Sequence, residues 1–139
     1  MIALDTNALV RLLIEDDEKQ ARKVKKLIES VEKQGQQILI LTEVLIETVW
    51  VLESVYECTR EDIHRFLETM MYTSIFTFSE PRIIGNVIRH FKKGGDFADL
   101  VIVMQSINHQ AKKIFSYDKK LQKSFPDYVV EKLVPNDLW

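Results

Sequence analysis

Apolar residues along this chain follow two rhythms. Short runs, Ile2-Ala3-Leu4, Ile38-Leu39-Ile40-Leu41 and Ile114-Phe115, are nearly continuous, as strands buried on both faces are. Ser74 to Phe78, where Ile75 and Thr77 alternate with Phe76 and Phe78, predicts a further strand, and Tyr128 to Leu133 an edge strand before a tail from Pro135 to Trp139. Between these runs the apolar positions recur at spacings of three and four. Ala21, Val24, Leu27, Ile28 and Val31 make one stripe in a segment from about Asp17 to Lys33, with Lys and Glu filling the rest, which predicts a surface helix ended by Gly35.

The same spacing predicts helices over Ala8 to Ile14, from Thr42 as cap to about Glu53, from Thr59 through Met70, from Ser79-Glu80-Pro81 to about Phe91, and from Asp96 to about Lys112. Thr59-Arg60-Glu61-Asp62 has the spacing of a capping box. Lys92-Lys93-Gly94-Gly95 is a break between two helices rather than a linker between domains. Strands alternating with helices predict an α/β fold, a three-layer α/β/α sandwich around a mainly parallel sheet of four to five strands, with residues 1 to 139 forming one domain.

Composition narrows the picture without changing it. Nineteen Lys and Arg against 21 Asp and Glu leave a formal charge of −2, so any binding of a polyanion must be local or carried by a metal ion. The Lys19, Arg22, Lys23, Lys25 and Lys26 cluster reads best as the solvated face of its helix. The single cysteine, Cys58, allows no internal disulfide and suits a reducing, cytoplasmic setting. His64, His90 and His109 lack ligand spacing. Charges at Asp5 and Arg11 interrupt any secretory leader, and the apolar stretch Ile38 to Leu52 is too short to span a bilayer and carries Glu43 and Glu47, so no membrane association is expected.

The informative residues are acids at element ends. Asp5 follows the first strand, where Asp5 or Asn7 can cap the next helix and where, in open α/β sheets, ligands bind. Ser116-Tyr117-Asp118 repeats that arrangement after a later strand, with Lys119 and Lys120 following as helix-start residues or as phosphate contacts. Asp96 and Asp99 open a helix, where both have a structural reading as cap and first-turn acid. Glu47 stands in a helix whose Val44, Leu45, Ile46, Val49, Trp50, Val51 and Leu52 leave almost no polar face, so its carboxylate is expected to be buried and in need of a partner. Glu43, one turn earlier, has the alternative of a favourable first-turn acid.

If the first and fourth strands are neighbours, Asp5, Asp118, Asp99 and Glu47 share one cleft. Two carboxylates about 4 Å apart repel by roughly 4 kcal/mol at an effective dielectric of about 20, so such a cluster invites a cation or a proton. Oxygen ligands without His or Cys favour Mg²⁺ or Mn²⁺.

Leu4-Asp5-Thr6-Asn7, Glu47-Thr48-Val49-Trp50-Val51-Leu52, Asp96-Phe97-Ala98-Asp99-Leu100 and Ser116-Tyr117-Asp118, in this order and over nearly the whole chain, resemble the motifs of PIN-domain proteins, most closely the VapC-type toxin ribonucleases of prokaryotic toxin–antitoxin pairs. The resemblance implies an acidic quartet of Asp5, Glu47, Asp99 and Asp118, in which Asp5, as the central ligand, holds the metal with Asp99 and Asp118, with Asp96 as an additional metal-binding acid and Ser116 as the usual small hydroxyl residue. Glu43 is a possible substitute for Glu47, although the Glu-x-x-Trp pattern favours Glu47. It further implies Mg²⁺- or Mn²⁺-dependent hydrolysis of RNA phosphodiester bonds, with Thr6, Asn7 and Ser116 positioning water or phosphate. The implied partners are an RNA substrate, a second copy of the chain in a homodimer, and a cognate antitoxin whose segment enters the acidic groove.

Two rival classes remain. A catalytically inactive PIN-like module would bind RNA or protein through the same groove without holding a metal. An aspartyl-phosphate enzyme or receiver shares the strand-end aspartate, but Asp5-Thr6-Asn7 lacks the second acid that phosphoaspartate hydrolases carry two residues on, and the paired acids of a receiver are missing after the first strand.

Overall fold

A computed structural model of the chain describes residues 1–138. Among the described residues five short strands alternate with seven α-helices: β1 (Ile2–Ala3), α1 (Thr6–Leu13), α2 (Glu18–Lys33), β2 (Ile38–Ile40), α3 (Thr42–Ser54), α4 (Arg60–Met71), β3 (Phe76–Phe78), α5 (Pro81–Lys93), α6 (Phe97–Asn108), β4 (Ile114–Phe115), α7 (Lys119–Ser124) and β5 (Val129–Val130). The fold is α/β, and every strand pair is parallel. β1, β2 and β3 form one ladder in that order, with Ile2 beside Ile38 and Ile38 beside Phe76; β4 and β5 form a second, with Ile114 beside Val129. Among the described residues no backbone hydrogen bond joins β1 to β4, so the neighbour relation expected of the first and fourth strands is not made through a ladder.

The core is built where the two rhythms of the sequence meet. Ile38 and Ile40 are fully buried, as are Leu9 of α1, Leu45 of α3, Ile63 of α4 and Ile84 of α5. Burying each such side chain stabilises the fold by about 1.5–3 kcal/mol before conformational entropy is counted. α5 buries one face, with Ile83, Ile84, Val87, Ile88 and Phe91 all buried and Arg82, Arg89, Lys92 and Lys93 on the other. Phe91, near its end, meets Phe97 at the start of α6 edge to face, with ring centroids 5.7 Å apart. That contact fixes the two flanks of the loop that carries Asp96. Among the described residues no helix is long and apolar enough to cross a membrane.

Several boundaries differ from those the sequence predicts. α1 begins at Thr6, because Asp5 accepts the Ala8 N–H and supplies the cap. Thr42 is not the cap of α3 but its first residue: its N–H donates to Ser79 Oγ and its hydroxyl to Glu80, so the helix start is capped from the end of β3. α6 stops at Asn108 because Gln110 takes a left-handed φ of 64° that no helix can continue through. β4 is only two residues long, and α7 follows it where the sequence offered no more than a helix start at Lys119 and Lys120.

α3 departs most from expectation. Its buried residues are Thr42, Leu45, Thr48, Val49 and Leu52, one stripe at helical spacing. The opposite face is open: Glu43 and Glu47 are exposed, and Trp50 keeps 63% of its surface in solvent. Glu47 is therefore not lodged in an apolar interior. The run of apolar residues around it is a core stripe plus a solvent-facing tryptophan, and the argument from a costly buried charge does not apply.

Candidate functional site

Three of the acids are placed by the same local device. Asp5 Oδ1 accepts from Ala8 N at 3.0 Å, Asp96 Oδ2 from Asp99 N at 3.1 Å, and Asp118 Oδ1 from Leu121 N at 3.1 Å, so each caps the helix that follows it. Asp99 lies in the first turn of α6, where the helix's positive end favours an acid. Ser116 sits beneath Asp118: its Oγ accepts the Asp118 N–H at 3.1 Å, and its carbonyl accepts from Gln122 Nε2 at 2.8 Å. Thr6 is buried and Asn7 exposed in the first turn of α1, both serving the helix start.

Asp96, Asp99 and Asp118 converge on one cavity of about 660 Å³. Its remaining charged and polar wall includes Glu53, Arg60, His90, Lys93 and Lys120. The Asp99 carboxyl is held above the usual carboxylate range, first by partial burial and then by repulsion from Asp96 and Asp118. A second groove of about 500 Å³ adjoins it, lined by Glu43, Glu47, Trp50 and Phe97 and sharing Glu53 and Asp96 with the first. Glu47 thus reaches the acidic region from the flank, with Glu43 beside it. Asp5 lines neither hollow. The structure brings together the acids of α6 and of the β4–α7 junction, and sets Glu47 next to them rather than among them.

Sequence reasoning missed three members of this wall, Glu53, Arg60 and His90. Glu53 stands where the two grooves meet, and its carboxyl is raised by burial and by Asp96, with Arg60 opposing. Its signal was present: Glu43, Glu47, Trp50 and Glu53 succeed one another at spacings of four and three on one helical face. Arg60 had been absorbed into a cap motif, and Thr59 does cap α4 by accepting the Asp62 N–H. Its guanidinium, however, donates to the carbonyls of Phe91 and Gly95 at 2.9 and 2.8 Å. No sequence rule links residues so far apart. His90 also lines the cavity, against Phe125, where its isolation in sequence predicted no role.

The donor set suits a hard cation, since it is all carboxylate oxygen and its members repel one another. Among the described residues no three acidic, histidine or cysteine side chains meet closely enough to enclose an ion. That excludes an all-protein cage, but Mg²⁺ is ordinarily held by one or two carboxylates together with water and phosphate, and for this mode Asp99 with Asp96 or Asp118 is a fitting set.

Comparison with known proteins bears on the family of the chain. The chain is 27% identical over 124 residues to a protein of Aquifex aeolicus (strain VF5) named VapC ribonuclease, covering 88% of this chain and 91% of that one. No solved structure matches it. The sequence matches the PIN domain over residues 2–124, a span containing all four acidic motifs, and the chain belongs to the PIN-domain family.

Proposed function

We propose that the protein is a Mg²⁺- or Mn²⁺-dependent endoribonuclease, acting in the cytoplasm as the toxin of a type II toxin–antitoxin pair. The carrying observation is the convergence of Asp96, Asp99 and Asp118 on one cavity, with the Asp99 carboxyl raised by its two neighbours. The likeness to a protein named VapC ribonuclease supports RNA as the substrate; a cognate antitoxin as partner and a homodimer as the working form belong to the same proposal and rest on the resemblance of the motifs alone.

In this reading Asp99, with Asp96 or Asp118, would hold the metal, and Glu47 adds its carboxylate from the adjoining groove, with Glu43 its substitute there; Asp5, which lines neither hollow, enters as the fourth acid on its place in the motif order. The ion, when bound, lowers the pKa of a water and offsets charge on the leaving oxygen. The chain's own contribution is placement and charge. Ser116 holds the backbone of Asp118, Thr6 and Asn7 fix the start of α1 beside Asp5, and Lys93 and Lys120 offer cations to phosphates at the cavity wall.

Incubating the purified protein with structured RNAs across a Mg²⁺ and Mn²⁺ titration tests this. Cleavage that requires the metal and ceases with chelator is expected; full cleavage in chelator overturns it. The other reading is a binding module without catalysis that uses the same groove. Its signature is RNA retained uncut at every metal concentration.

A further inference from the structure

The loop that delivers Asp96 and Asp99 is permissive on its own. Gly94 and Gly95 take φ values of 146° and 95°, in a region that glycine enters freely and other residues avoid. Two such residues in succession leave the direction of the chain into Asp96 undetermined by local sterics. Arg60 supplies what the loop lacks. Its Nη1 donates to the carbonyl of Phe91, in the last turn of α5, and to the carbonyl of Gly95, the residue before Asp96. Its guanidinium carbon lies 4.4 Å from the centroid of the Phe91 ring, and that ring is fully buried. As the first residue of α4, Arg60 joins the start of one helix to the end of a second and the entry of a third.

We propose that Arg60 is the positioning residue of the acidic site, holding the Gly94-Gly95 loop so that Asp96 and Asp99 face the cavity in the arrangement that binds a divalent cation. The inference rests on the metal-site reading above. Electrostatics alone makes the opposite prediction. Arg60 lines the same cavity as the acids, so removing its charge should strengthen cation binding if charge were all it contributed. A merely structural role would lower thermal stability and leave the cation affinity of the folded protein where it was. Only positioning makes the affinity fall.

The experiment is calorimetric titration of the full chain with Mn²⁺ alone, comparing the wild type with Arg60→Ala and Arg60→Lys, each checked for folding by circular dichroism. In Arg60→Ala the dissociation constant should rise about 10- to 100-fold, the usual effect of removing a group that orients ligands. Arg60→Lys keeps the charge but loses the planar fork and its stacking, and should also bind Mn²⁺ more weakly than wild type. If the alanine variant does not fold, the lysine variant carries the test. A folded variant that binds Mn²⁺ as tightly as wild type, or more tightly, overturns the role of Arg60 while leaving the metal site in place. Failure of the wild type to bind Mn²⁺ overturns the metal-site reading, and this inference with it.

Discussion

At the scale of single residues, capping and chemistry are not competing roles. Asp5, Asp96 and Asp118 each give one carboxylate oxygen to a helix start, and among the described residues the second oxygen of each accepts no hydrogen bond from the chain. Asparagine caps about as well as aspartate, whereas alanine forfeits about 1 kcal/mol. Asp5→Asn should therefore melt like the wild type and lose nearly all metal-dependent cleavage, while Asp5→Ala should lose both; a folded Asp5→Asn protein with full activity would remove Asp5 from the site. Asp99 makes a prediction of the opposite kind. Its carboxyl is raised in the fold, so the folded protein is favoured while Asp99 is protonated, and that advantage is lost as pH rises from the ordinary carboxylate range through the raised value. At neutral pH the ionised group is a cost. Asp99→Asn should raise the melting temperature near pH 7, with the gain shrinking toward acid pH, and should reduce cleavage by about 100-fold or more. A variant less stable than wild type at neutral pH would show that the repulsion around Asp99 is already compensated. The residues legible in the sequence were those whose role is local: an acid at an element end announces the cap, as Asp5, Asp96 and Asp118 do. Glu47 was misjudged because counting apolar neighbours ignores helical phase, which turns Trp50 outward with it.

At the scale of elements, all helices before Asp118 follow from periodicity and punctuation, because each buries a stripe whose spacing is written in the chain; the strands fall where the apolar runs predict, but only β2 is largely buried, and Ile2, Ala3 and Phe115 lie exposed where burial on both faces was expected. What the sequence withheld are the contacts that aim one element at another: Ser79 capping α3 from the end of β3, and Arg60 tying three helices to one loop. α7 was also hidden, being short and without a buried residue to mark a stripe. The loop before α6 shows how backbone geometry serves the site. A Cβ on Gly95 would meet the Leu100 side chain at 3.4 Å, and φ there is 95°. Gly95→Ala should cost about 1 kcal/mol or more, measured as a lowered denaturant midpoint at unchanged slope. An unchanged midpoint would mean that the loop has another conformation of equal energy.

At the scale of the whole molecule, a chain of net charge −2 that cleaves RNA, as proposed, would have to attract it by arrangement rather than by total charge. Arg60, His90, Lys93 and Lys120 stand around a hollow whose interior is acidic, so cations flank the place where carboxylates and metal would meet the scissile phosphate. Arg60 is committed to backbone carbonyls, which leaves Lys93 and Lys120 as the cations of that wall that are free of a salt bridge among the described residues. Lys119, next in sequence, is instead paired with Glu131 at 2.6 Å and lowers that carboxyl's titration, which makes it a control of matched charge and neighbourhood. Each phosphate contact on a single strand contributes about 0.7 to the slope of log affinity against log salt. In an Asp99→Asn background, where RNA survives the titration, replacing Lys93 and Lys120 by alanine should weaken RNA binding and flatten that slope by roughly 1.4. Lys119→Ala should leave the slope unaltered, because its charge is already spent on Glu131. Equal slopes in the wild-type wall and the doubly substituted one would place the RNA path elsewhere on the molecule.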